Sequence, residues 1–530
     1  MTFLSAPFKA LVGHFVRRLF ASEAEQGTGG LGLGLGAVLA ILASPGAFAS
    51  IFLLGKYSTL LQWFRGEQID AIRRSPSDEY FFVVLSMTIT GLVTVARWNR
   101  LFPDRRDFEN LAVLPIAIRS IFFANFSALL GLAVLFALDV NAVSALFFPF
   151  FVTISIGSFA AFLKVGVAHA VTVFASSLFS FFFVFALVGL LMLVIPRRVS
   201  RRVSLVARIL LVIGLLTEFF SNILVQLFAG RLPGGPASSM RFVPSFWFLG
   251  IYESMLGIAR PQMALLAREA WIALCAAVVI SVVSYALCYR RIFIRLPESF
   301  DITGSSRLFF RMRFPESMLR PCFLSQFERA SICFSLKVLL RSEKHLLFVG
   351  AYLGIGLVIV AQTALDSPGN SHFGGLPDAG YFAIPFLIAF VIMSGLRFVF
   401  DTPAVLPANW VFQVAAGRPD PLPRQIARRL MLSATLPWQV SLLAPLAVKR
   451  LGWPLALLHI STIVTFTILF AEALLLRFQK IPFTCSTELD IKQALAKLLA
   501  AVFGVLAFVP ALASLELWML ESPARFACDF

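Results

Sequence analysis

The chain alternates between long apolar runs and short polar segments. A membrane-crossing helix needs about 20 consecutive apolar residues. Twelve stretches approach that requirement: 32–54, 80–96, 119–138, 142–163, 167–195, 203–228, 265–289, 346–363, 381–398, 430–448, 453–476 and 496–519. None alternates with the two-residue period of a membrane β-barrel strand. A helix satisfies its own backbone hydrogen bonds within lipid, so the pattern predicts an all-α, polytopic integral membrane helix bundle of about 11–12 spans.

Polar segments set the expected orientation. Arginine and lysine concentrate at the N-terminus (Lys9, Arg17, Arg18), in 97–119, in "PRRVSRR" at 196–202, and in 290–345, 399–429 and 477–495. By the positive-inside rule these face the cytoplasm, with the N-terminus inside and loops 57–79, 229–264 and 364–380 outside. An even number of crossings must then separate 97–119 from 196–202. Three stretches lie between them, so 142–163, which holds Pro149 and two glycines, is expected to be re-entrant or half-buried. The segment "PSFWFLGIYESMLG" within 229–264 is too short to cross and too apolar for a free loop. It reads as an interfacial or re-entrant helix at the outer leaflet.

Composition narrows the function classes. Of 530 residues, 59% are hydrophobic and 14% charged, against about a quarter charged in soluble domains. The net charge of +17 sits in short loops between spans, which argues for lipid headgroups as partners and against nucleic acid. The six cysteines form no CxxC pair and no disulfide framework. "GGLGLGLG" at 29–36 does not fit a dinucleotide loop, and there is no Walker A, HExxH or GxSxG motif. The five histidines show no metal-ligand spacing. No catalytic residue, metal site or cofactor is expected. The intramembrane polar residues singled out are Glu218 with Asn222 one turn on, His169, His459, Glu472 near the inner end of its span, and Asp139 near a span end. Ionisable groups in a bilayer are functional hypotheses by default; the histidines read first as packing residues and Glu472 as snorkelling inward.

Organisation is expected in two membrane halves, 1–289 and 346–530, joined by a basic amphipathic cytoplasmic linker, 290–345. Each half opens with a span, an outer loop, a span, and a cytoplasmic segment rich in proline, arginine and aromatics. These segments are "WNRLFPDRRDFENLAVLPI" and "RFVFDTPAVLPANWVFQVAAGRPDPLPRQIARR". In the first, Trp98, Phe102, Phe108 and Leu111 are expected to face the bundle, with Pro103 and Pro115 bounding a short helix along the membrane.

The order of elements up to "FPDRRDFENLAVLPIAIRSIFFAN", together with "PSFWFLGIYESMLG", resembles the permease subunits of ABC transporters of the ABC-2 exporter type. The resemblance is strongest over 80–126 and extends to about 289; the chain is about twice the usual unit, as two fused units would be. It implies a non-enzymatic transmembrane subunit in the cell inner (plasma) membrane, coupled to a separate ATP-binding chain through 97–119 and 399–429. Asp104, Arg105, Arg106, Asp107 and Glu109 would be the ATPase contacts. Two other readings stay open at this point: an ion-coupled secondary transporter using Glu218 and His169, and a structural subunit of a larger membrane complex. A polytopic lipid- or polysaccharide-modifying enzyme would need acids or histidines grouped at one membrane face.

Overall fold

The computed structural model describes residues 6–20, 35–57, 71–102, 116–229, 240–295, 326–366, 379–403, 422–476, 478–484 and 504–520. Every regular element among them is helical. Among the described residues, nine helices are long and apolar enough to cross a membrane; two other expected spans hold shorter apolar stretches, Leu42–Ile51 and Val509–Leu520. The chain is a multi-pass membrane helix bundle. It divides into two compact units, one of residues 1–211 and 222–303, the other of 212–221 and 304–530.

In the first unit, α1 (Ala6–Phe20) is a short amphipathic helix ending in Arg17 and Arg18. It is followed by α2 (Leu35–Tyr57) and α3 (Ala71–Ala96). The latter begins nine residues before the expected span, so 71–79 is helix and not loop. Pro76 lies inside it. A proline removes the donor that would serve the carbonyl four residues back. Ser75 Oγ donates to that carbonyl, Ile72 O, at 2.8 Å, so the helix runs on through the proline.

The parity problem is resolved by two continuous helices, α4 (Ile118–Thr153) and α5 (Phe159–Val194). Stretch 142–163 is neither re-entrant nor a separate span. It is the end of α4, an exposed turn containing Gly157 at φ +66°, and the start of α5. Each helix has 36 residues, about 54 Å at about 1.5 Å per residue, against an apolar core of about 30 Å. Pro149 does not break α4, and Asp139 lies within that helix.

Next come α6 (Arg197–Ala229), α7 (Pro244–Leu256) and α8 (Pro261–Arg295). Helix α7 inserts into the bundle: it packs on α3, α5 and α8 and buries Phe246, Phe248, Leu249, Ile251 and Tyr252. Gly250 permits this. A Cβ there would lie 2.4 Å from Met263 O and 2.8 Å from Ala267 N of α8. Polar atoms line the interior, among them Ser86, Asn141, Ser177 and His169, while Leu138, Leu146, Phe147 and Phe150 of α4 point outward. A surface this apolar suits lipid as its solvent.

The second unit contains α9 (Gln326–Arg341), α10 (Glu343–Asp366), α11 (Ala379–Phe400) and α12 (Leu422–Trp438). A π-helical turn over Gln439–Leu443 follows Pro437 and leads into α13 (Ala444–Leu451). Gly452, at φ +75°, reverses the chain directly into α14 (Trp453–Leu474). A second π turn, Gly504–Phe508, leads into α15 (Val509–Leu520). Residues 212–221 of α6 group with this unit, where Ile213 lies against Gly354.

Candidate functional site

Two polar regions stand out in the first unit, at opposite ends of α3. The basic end surrounds the root of the arginine-rich segment. After α3, a single 3-10 turn, Trp98–Arg100, folds the chain inward. Trp98, Leu101 and Phe102 are buried, and Phe102 packs against Phe185 of α5 and Tyr285 of α8. Trp98 and Phe102 thus face the bundle as the sequence predicts. Helix α1 holds the backbone there. Arg18 Nη2 donates to Phe102 O at 2.7 Å and to Arg100 O at 3.4 Å, and Arg100 Nη1 donates back to Arg18 O at 3.1 Å. Asp104, Arg105, Arg106, Asp107 and Glu109, with Phe108 and Leu111, lie outside the described residues.

The opposite end gathers the first turns of α3. Lys56 and Tyr57, closing α2, meet Asp78: Lys56 Nζ at 2.7 Å and the Tyr57 hydroxyl at 2.5 Å from Oδ2. One residue on, Glu79 Oε2 lies 2.6 Å from Nδ1 of His169 on α5. Neither side chain is accessible. Nε2 of His169 lies 3.2 Å from Ser144 Oγ on α4, which itself donates to Asn141 O at 3.0 Å. Phe82 stands edge-on to the imidazole and Phe148 leans over it. Helix α7 completes the region, with the Tyr252 hydroxyl 2.9 Å from Ser75 Oγ and Ser245 Oγ 3.1 Å from the Tyr80 hydroxyl.

A third polar layer lies between these ends. Asn141 Nδ2 donates to Ser177 Oγ at 2.9 Å, and Ser86 donates to its carbonyl oxygen. It ties α3, α4 and α5 together with side chains that are buried, so each group satisfies another.

The second unit repeats parts of this plan. Thr402 O, just past α11, accepts from His345 Nε2 at 3.0 Å, as Phe102 O accepts from Arg18. Asp401 pairs with Arg397 at 2.7 Å and Lys480 at 3.0 Å. Glu472 takes Arg424 and Arg428 of α12 at 2.5 and 2.9 Å. Arg428 and its neighbours are half exposed, so these pairs position more than they stabilise. His459 of α14 places Nδ1 2.7 Å from Glu516 Oε1 of α15, with both side chains buried. Phe382 of α11 stands edge-on to that imidazole.

Both membrane histidines therefore bind distant glutamates, which linear spacing does not reveal. Glu79 falls one residue before the apolar run that marks the expected span, and Glu516 is a lone acid inside one; that lone acid is the signal available for finding it. The partners of His169 are Glu79 and Ser144, and Glu218 is half-buried on α6 within residues 212–221. Asn222 falls in α6; its side chain is outside the described set. Among the described residues no three His, Cys, Asp or Glu converge as a metal site would need. No protein-family model matches the chain, and no curated protein or solved structure is significantly similar to it.

Proposed function

We infer that the chain is the membrane-spanning permease subunit of an ATP-driven exporter of the ABC-2 type, working with a separate ATP-binding chain. The observation that carries this reading is the clasp of α1 on the root of the arginine-rich segment. Arg18 and Arg100 exchange hydrogen bonds with each other's backbone, and Arg18 also takes Phe102 O. A segment that passes force from a soluble motor to a bundle needs a stiff base. Here the base consists of Trp98, Leu101 and Phe102 sunk among α3, α5 and α8, with the cation of α1 closing it.

The order of elements supports the same reading. An amphipathic helix, two spans, a basic segment, a long hairpin, a further span, an inserted half-helix and a last span succeed one another between residues 6 and 295. The second unit repeats the opening of that order, with His345 in the place of Arg18. In this reading both basic ends face the cytoplasm of a cell whose inner membrane holds the protein. The contacts with the motor are Asp104, Arg105, Arg106, Asp107 and Glu109, and those within 399–429.

The test is copurification. The full chain, extracted from its native membrane, brings down a nucleotide-binding subunit, and R105E/R106E loses that subunit while the chain still elutes as a monodisperse particle. Recovery of the wild-type chain with no nucleotide-binding protein, or equal recovery with the charge-reversed variant, overturns the reading.

A further inference from the structure

The two buried histidine–glutamate pairs share a geometry that a proton count makes explicit. In the first unit Ser144 has one hydroxyl hydrogen, and it goes to Asn141 O. Ser144 Oγ therefore accepts from His169 Nε2, so Nε2 carries a hydrogen. Nδ1 and Glu79 Oε2 then face each other at 2.6 Å. Without a hydrogen between them, an imidazole lone pair would meet a carboxylate oxygen, which is repulsive. With one, the contact is a strong hydrogen bond, whether the hydrogen is drawn on nitrogen or oxygen. The link holds one proton.

Among the described residues, no other charge balances the pair. Lys56 and Tyr57 from α2 are committed to Asp78. Lys164 of α5 donates to Leu256 O. Helix α7 presents Tyr252, bonded to Ser75, and α4 presents the hydroxyl of Ser144. Phe82 and Phe148 wall the imidazole. The second carboxylate oxygen, Glu79 Oε1, is buried with no hydrogen-bond partner. Losing the proton would leave a buried anion beside a nitrogen lone pair, a cost of several kcal/mol that helix separation would relieve.

The second unit repeats the carboxylate contact, the partnerless oxygen and the edge-on ring. Glu516 Oε1 lies 2.7 Å from His459 Nδ1, and Glu516 Oε2 is buried without a partner. The edge-on ring is Phe382, at 5.1 Å and 87°, against 5.4 Å and 85° for Phe82. Each histidine sits on the helix that leaves a glycine reversal, Gly157 or Gly452, and each begins the pattern H-x-x-T. The titratable neighbour from α11 is Tyr381, with Arg450 of α13 over its ring.

We propose that these pairs are two proton-binding sites, one per unit, whose ligand is the hydrogen ion shared between histidine Nδ1 and glutamate. Bound proton latches α3 to α5 in the first unit and α14 to α15 in the second; its release opens the latch. The chain thereby responds to protons whether or not an ATPase drives it.

The experiment uses the full chain in lipid nanodiscs with 15N-labelled histidine, read by NMR from about pH 5 to about pH 9. The His169 and His459 signals are those that E79Q and E516Q respectively perturb; glutamine keeps the shape and donates to Nδ1 without carrying a labile proton. In the wild type each Nδ1 is expected to show a strongly downfield, hydrogen-bonded proton shared with its glutamate. E79Q removes that proton signal at His169 alone, and E516Q removes it at His459 alone. Its absence from the wild type overturns the proposal, as does a His169 signal that survives E79Q. No ATP-binding subunit is needed for the measurement, so its outcome is independent of the transport reading.

Discussion

Replacing Arg18 by glutamine tests the clasp directly. Arg18 gives Nη2 to two carbonyls, Phe102 O at 2.7 Å and Arg100 O at 3.4 Å. The first is a short bond from a cation; the second is at the limit. A hydrogen bond involving a charged group contributes about 1.5–3 kcal/mol. The guanidinium is only part-buried, so the lower part of that range applies, and we take about 2 kcal/mol for the clasp. At about 1.4 kcal/mol per tenfold, local opening around Phe102 becomes about 30-fold more frequent. Leu101, 1% exposed, reports that opening. In a background without the six natural cysteines, L101C is modified by a water-soluble maleimide at a rate set by the opening equilibrium. R18Q should raise that rate by about 10- to 100-fold over the same probe with Arg18 intact. Arg17 is exposed, so R17Q should leave the rate within about twofold, as surface substitutions usually do. A rate for R18Q equal to that for R17Q refutes the clasp as the holding element.

Two further perturbations probe the bundle. G250V drives a side chain into Met263 O and Ala267 N, both backbone atoms that cannot give way; it should lower the thermal midpoint in detergent by more than the usual overpacking cost of about 1–3 kcal/mol implies, whereas G13A, with open space around it, should raise it slightly through helix propensity. N141L strands the Ser86 and Ser177 hydroxyls in an apolar interior at about 1–3 kcal/mol, and adding S86A and S177A should recover most of the loss in the same melting assay.

Much of the fold could be read from the chain because lipid imposes one rule, that spanning segments be apolar and helical. Boundaries were less legible. Residues 71–79, expected as loop, are helix, and within them Ser75 serves the carbonyl that Pro76 abandons, a side-chain contact invisible to hydropathy. Stretch 142–163 looked like one element because its turn is itself apolar: Ile154, Ile156 and Phe159 surround Gly157 and are exposed. The inserted helix at 244–256 was legible from its length and oiliness. The buried pairs were not. His169 and Glu79 are 90 residues apart, and His459 and Glu516 are 57 apart. A lone histidine among apolar residues reads as packing until a partner on another helix is known.

The two units differ in where the acid comes from, and the difference bears on what the pairs are for. In the first, the glutamate stands on the helix that also supplies the edge-on phenylalanine, three residues from it. In the second, the ring comes from α11 and the glutamate from α15. The acid is therefore not tied to one arrangement of ring and helix. What recurs instead is the chemistry around the imidazole: one carboxylate oxygen on Nδ1, the other without a partner, an aromatic edge on the ring, and a glycine reversal upstream. The histidine is thus the fixed element and the acid is delivered to it from whichever helix is near. Glue alone would be better served by leucine at both positions, since a buried ion pair replaced by well-packed apolar residues is often neutral or stabilising. Two units that each keep a titratable pair at that cost are organised around the proton it holds.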